Sequence, residues 1–186
     1  IVRLGFLQYE ARDFAGAATR FERAFAADPQ EYEYAFFLGV ARRRMGSADA
    51  AIEAFRSIPP EHAHYPEART QIASILERRG DYQGALAEVE LAAARTPDRQ
   101  LELYKATLRS KTGDFDGAVA DLNALLEKQP NDDELLYNIG MLVRIAGTAG
   151  NPRTGRLPAV TVEYRDEARR GDRACAGGAP RSGTLR

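Results

Sequence analysis

The 186-residue chain is long enough for one or two domains, and its 44% apolar content suffices for a packed core. No run approaches the roughly 18 apolar residues of a membrane-spanning helix, so the chain is read as soluble, with no membrane insertion. Net charge is -1 but uneven: eight arginines against four acidic residues after Gly147 give +4 there and leave -5 on residues 1–147. That is not the strongly basic balance of a nucleic-acid-binding domain. The single cysteine, Cys175, excludes an internal disulfide and fits a reducing compartment, which slightly favours the cytoplasm.

In chain order, residues 1–12 carry Val2, Leu4, Phe6, Leu7 and Tyr9 and predict a first helix. Asp13 opens a second, Phe14 to Ala27, whose Ala17, Phe21, Ala24 and Phe25 form one apolar stripe. Asp28-Pro29 ends it, because proline cannot extend a helix and restricts the residue before it. A second pair runs from Tyr32 to about Ile58 around Gly46-Ser47, where glycine closes one helix and serine or a nearby aspartate caps the next. Pro59-Pro60 cuts that pair about a turn short, and the loop EHAHYP follows. The clearest pair lies in Glu67–Pro97, with Gly80 at its turn and Asp81 as cap. A fourth runs from Leu101 to Gln129 around Gly113-Asp114, and a fifth first helix from Asp133 to Ala146.

These pairs are copies of one unit. Gly46, Gly80, Gly113 and Gly147 recur at spacings of 34, 33 and 34 residues. Ala17, Ala51, Ala85 and Ala118 keep the same period, each followed four residues later by a large residue: Phe21, Phe55, Val89 or Leu122. Gly5, Gly39 and Gly140 mark first helices, and with the alanines are expected where the two helices of a unit approach closely. Residues 1–147 therefore predict an all-α stack of four units plus one extra helix. A lone unit leaves its apolar face wet, so stacking is obligatory.

The chain begins at Ile1, about three residues into a repeat, so upstream sequence is inferred to be missing and no signal peptide can be sought. After Gly147 the pattern fails: Pro152 stands where the small alanine belongs. Residues 148–186 are rich in Arg, Gly and Pro and are expected to be disordered, since they cannot bury enough apolar surface to offset ordering entropy. The fifth helix is apolar on nearly every side, which suits a missing partner helix or self-association. One hypothesis is a shifted reading frame; it fails if the next frame of the gene does not resume the repeat.

Helix–Gly-Asp–helix–Pro with Ala-x-x-x-Phe in the second helix resembles the tetratricopeptide repeat over residues 1–147, although the tryptophan often found in that family is absent and Arg12 replaces the first turn glycine. Sel1-like repeats, with longer spacings, fit less well. The resemblance implies a right-handed superhelical solenoid of antiparallel helix pairs whose first helices line a concave groove for a peptide or helix of another protein. Carried over by position, the groove would present Val2, Phe6, Tyr9, Phe36, Val40, Arg43, Thr70, Ser74, Glu77, Leu103, Thr107, Ser110, Tyr137 and Met141, beside a basic row of Arg44, Arg78 and Lys111. Alanine at Phe36 is then expected to weaken partner capture and spare helicity. The carboxylate-binding set of the chaperone-binding members is not present: its slots hold Val2 and Phe6, Phe37, and Glu67 and Gln71.

No catalytic site is legible. His62 and His64 share a loop, but a metal needs more ligands than Glu61 and Glu67 nearby would make plain, so no metal or cofactor is expected. No nucleophile has a histidine placed to activate it, and no phosphate-binding glycine loop occurs. The expectation is a non-catalytic protein-interaction scaffold. The alternatives are a regulatory or substrate-recruiting arm of a larger enzyme, or a cell-envelope assembly or secretion factor; flanking sequence would separate them.

Overall fold

The computed structural model of the protein describes residues 2–149. Over that span the chain forms α1 (Val2–Glu10), α2 (Phe14–Ala27), α3 (Tyr32–Arg44), α4 (Ala48–Arg56), α5 (Tyr65–Arg78), α6 (Tyr82–Arg95), α7 (Arg99–Lys111), α8 (Phe115–Leu126) and α9 (Asp133–Ala149), and among the described residues there is no strand. Each helix packs on the next in sequence, giving a solenoid of helix pairs. The expected disorder of residues 148–186 falls almost wholly outside the described residues. The last helix runs three residues beyond the expected Ala146.

Local chemistry sets the turns. Gly46, Gly80 and Gly113 adopt φ of 82°, 81° and 83°, the left-handed conformation that ends a helix without a Cβ clash. Asp13, Asp81 and Asp114 then cap α2, α6 and α8 by accepting the amides of Gly16, Gly84 and Gly117. The expected cap at Ser47 makes no side-chain hydrogen bond; Asp49 lies in the first turn of α4 and pairs with Arg79 at 2.6 Å.

Arg12 fills the first turn with φ of 64°, the only positive-φ residue other than glycine among those described. A side chain there costs about 1–2 kcal/mol, partly offset in a glycine variant by greater unfolded-state freedom. Arg12→Gly is therefore expected to stabilise the protein by about 1 kcal/mol, raising the melting temperature by roughly 2–4 °C. A fall in melting temperature would show that the left-handed turn is not strained.

The interior is built from the small and large positions that share the repeat period. Ala17, Ala51, Ala85 and Ala118 are fully buried, as are Phe21, Phe55, Val89 and Leu122. A Cβ on Gly5 would lie 3.1 Å from the Phe21 ring, and one on Gly39 would lie 2.6 Å from the Phe55 ring. Those glycines let the aromatic side chain of the second helix rest on the backbone of the first. Gly140 departs from the expectation: among the described residues nothing lies within 4 Å of its Cβ position, because no described second helix follows α9.

Charged side chains tie one repeat to the next. Arg42 donates to the Ala50 carbonyl at 3.2 Å and pairs with Glu22 at 2.5 Å; Arg109 donates to the Gly117 carbonyl at 3.4 Å and pairs with Glu90 at 3.2 Å. Each arginine thus holds the start of its own second helix and the second helix of the preceding unit. Arg109 also faces Asp121, whose carboxyl burial pushes above the ordinary carboxylate range despite Lys105 and Arg109 beside it. Between α4, α5 and α6, Glu88 lies buried against Arg69 at 2.9 Å and Arg56 at 3.3 Å.

Candidate functional site

Toward the C-terminal end, α7 and α9 leave a cavity of about 350 Å³. Its apolar floor is Leu103, Ala106, Leu122, Met141 and Leu142, and its polar rim includes Thr107, Ser110, Lys111, Glu134 and Asn138. The residues of α7 repeat every three or four positions, as do those of α9, so each helix turns one stripe toward the cavity. The floor continues into the core formed by Ala118, Leu122, Leu135 and Ile139, which fixes the helices on either side.

Five of the residues expected to line the groove meet here: Leu103, Thr107, Ser110, Lys111 and Met141. Tyr137 stands on α9 and is 68% exposed. Thr70 and Thr107 each turn the hydroxyl back to the carbonyl four residues earlier, Pro66 and Leu103, at 2.8 and 2.9 Å. Both hydroxyls are thereby satisfied within their own helices. Val40 and Ser74 are partly exposed on α3 and α5.

At the other end the expectation is corrected. Phe36 is 5% exposed and belongs to the core with Phe55, Ile58, Tyr65 and Ile72. The reason is the shortened α4: residues 57–64 fold in as turns and bring His64 flat over the Phe36 ring, with centroids 4.4 Å apart. Phe36 thus cannot serve as an exposed contact, and Phe36→Ala would damage the core. Phe6 is also engaged internally, edge-on to Phe21 at 5.1 Å and to Phe37 at 4.6 Å. Tyr9 meets Phe14 edge-on and accepts from Arg44 Nε at 3.3 Å.

The basic row is mostly committed to the fold. Arg44 reaches Tyr9 one unit back, and Lys111 donates to Glu77 at 2.5 Å with its ammonium 5.4 Å from the Tyr82 ring centre. The Lys111 hydrogen bond holds the Glu77 carboxyl below its ordinary range, and Glu77 in turn raises Lys111. Burial, with the bond to Glu77 at 2.7 Å, pushes the Tyr104 phenol well above its ordinary value. Among the described residues Arg78 is exposed without an ion pair or hydrogen bond, and the Arg43 Nε is buried without a hydrogen-bond partner.

The positional carry-over missed Ala106, Leu122, Glu134, Asn138 and Leu142. It tracked only the stripe containing Tyr137 and Met141, whereas the cavity also uses the side of α9 turned back toward α7. The four-residue step from Glu134 to Asn138 to Leu142 is the available signal. His62 and His64 lie together with ring centres 5.5 Å apart, and His64 stands 3.7 Å from Glu67. Among the described residues no group of three or more His, Cys, Asp or Glu could hold a metal ion, and no helix is long and apolar enough to cross a membrane.

A search of curated proteins gave no match. Among solved structures, MamA is similar at 19% identity and TM-score 0.65, over 94% of this chain and 97% of that one. YrrB, described as "a TPR protein with an unusual peptide-binding site", is similar at 14% identity and TM-score 0.61, over 83% and 78%. The Yersinia enterocolitica type III secretion chaperone SycD, in complex with a peptide of the translocator YopD, is similar at 21% identity and TM-score 0.50, over 59% and 85%. These likenesses agree on the helix-pair fold. The tetratricopeptide repeat model matches residues 2–66 and 104–150, and α5–α6 between them continues the same stack. With one period running through its turns, its small residues and its buried rings, and a family match over more than half its length, the chain belongs to the tetratricopeptide repeat family.

Proposed function

We propose that this protein is a non-catalytic interaction module that holds a peptide or helical segment of another protein along its first helices, with an apolar side chain of the partner seated between α7 and α9. The observation that carries the reading is the cavity itself. It has an aliphatic floor for one anchor residue and a rim of Thr107, Ser110, Asn138 and Glu134 able to meet main-chain amides and carbonyls. The fold shared with YrrB and with peptide-bound SycD supports the same reading.

The test is a peptide-display selection on the whole chain, followed by affinity measurement on the selected sequences. Met141 lines the cavity without joining a buried core cluster, so Met141→Glu places a charge on the floor while sparing the fold. We expect it to weaken the selected peptides by roughly thirtyfold, the scale of a hot-spot loss, with unchanged helicity. Selected peptides that bind Met141→Glu as well as the parent protein would place the site elsewhere.

A further inference from the structure

The last helix keeps the arrangement by which earlier first helices receive a second helix. Gly5 and Gly39 each take the ring of a phenylalanine sixteen residues later, Phe21 and Phe55. Gly140 occupies the same slot on α9, and nothing among the described residues lies within 4 Å of its Cβ position. Leu136 and Val143 flank it on the same face, four residues before and three after. The sequence that follows does not carry the matching pattern: the small-residue slot holds Pro152 and the ring slot holds Arg156.

This face is also more apolar than its counterparts. The slot of Leu136 holds Ala35 on α3 but Arg69 on α5 and Glu102 on α7, which pair with Glu88 and Lys105. The slot of Val143 holds Leu76 on α5 but Arg42 on α3 and Arg109 on α7, which bind carbonyls in the first turns of α4 and α8. Each of α3, α5 and α7 thus keeps at least one charge at these two slots, whereas α9 has none, and its Val143 also packs partly against the core beneath. Loss of charge from the centre of a contact is what separates an interface core from other protein surface.

We infer that the Leu136–Gly140–Val143 face of α9 is a docking site for an amphipathic helix of another polypeptide. That helix presents a small residue and, four residues later, an aromatic ring that rests on Gly140. The occupant is specified by continuity with the packing inside the chain, where the Phe21 ring of α2 rests on Gly5 of α1 and Ala17, four residues before it, lies in the same buried cluster. The face is separate from the α7–α9 cavity, whose α9 contribution is Glu134, Asn138, Met141 and Leu142, so the inference does not depend on the groove.

The probe is a fluorescent synthetic peptide of residues 13–28, which carries the Asp13 cap, Ala17 and Phe21. Titrated with the full chain, it is expected to bind saturably. Phe21→Ala in the peptide and Gly140→Leu in the protein are each expected to weaken binding at least roughly tenfold. Gly140→Leu improves helix propensity, so a thermal melt at or above the parent's shows that its loss of binding is not unfolding. The proposal is overturned if the peptide does not bind the full chain, or binds Gly140→Leu equally. It is overturned also if the protein forms a dimer that Gly140→Leu dissolves, which would assign the face to a second copy.

Discussion

Replacing Phe55 with alanine is expected to lower the unfolding free energy by about 3–5 kcal/mol, the range for removing a fully buried phenylalanine. Its side chain is completely buried among Ala35, Ala51, Ile58, Tyr65 and Ile72, and its ring lies 5.8 Å from that of Phe36. The opposite wall is the α3 backbone at Gly39, which has no side chain to relax into the void. Because repeats contact only their neighbours, the loss is local to α3, α4 and α5. Urea denaturation reads the total, and hydrogen exchange should show protection lost there before α7–α9. The reciprocal variant, Gly39→Ala, pushes a methyl group toward the ring and should cost about 1–3 kcal/mol. Combined with Phe55→Leu the costs should be less than additive, since each change makes room for the other. A Phe55→Ala loss below about 1 kcal/mol would mean that this interface does not hold the stack.

Glu88→Ala is the second large effect, expected at about 2–3 kcal/mol, below the full cost of stranding a buried charge because Arg56 remains largely solvated. Glu88 is 7% exposed and joins α6 to Arg69 of α5 and Arg56 of α4. Removing it strands Arg69, whose guanidinium lies 4.7 Å from the Tyr65 ring centre and whose Nε already has no hydrogen-bond partner. The double variant Arg69→Met/Glu88→Leu is expected to recover to within about 1 kcal/mol of the parent, since a well-packed apolar pair can replace a buried ion pair. A double variant no better than Glu88→Ala would show that the carboxylate acts through something other than this pair.

What the sequence makes legible is the part of the fold governed by local rules. Helix spans, the left-handed glycine turns, the aspartate caps and the alanine–phenylalanine slots each depend on residues within one unit, and α2 is read without error. Arg12 was legible as a departure from the turn pattern, though not as a positive-φ arginine. Ties such as Arg42 to Glu22 and Arg109 to Glu90 join residues 20 and 19 positions apart, beyond any single-helix periodicity. Phe36 was misplaced because the unit was taken as regular, whereas the early end of α4 lets His64 close over it. The cavity was half legible for a geometric reason. It lies between helices of successive units, and aligning equivalent positions reached most of its α7 side but only Met141 on α9.

The central claim is that a partner segment lies across the first helices with its anchor between α7 and α9. Carbon-13 methyl spectra recorded while a display-selected peptide is added test it most directly. The account predicts saturating shifts at Leu103, Met141 and Leu142, with Leu91 on α6 unmoved. Shifts centred on Leu91, with the cavity methyls unchanged, would contradict it.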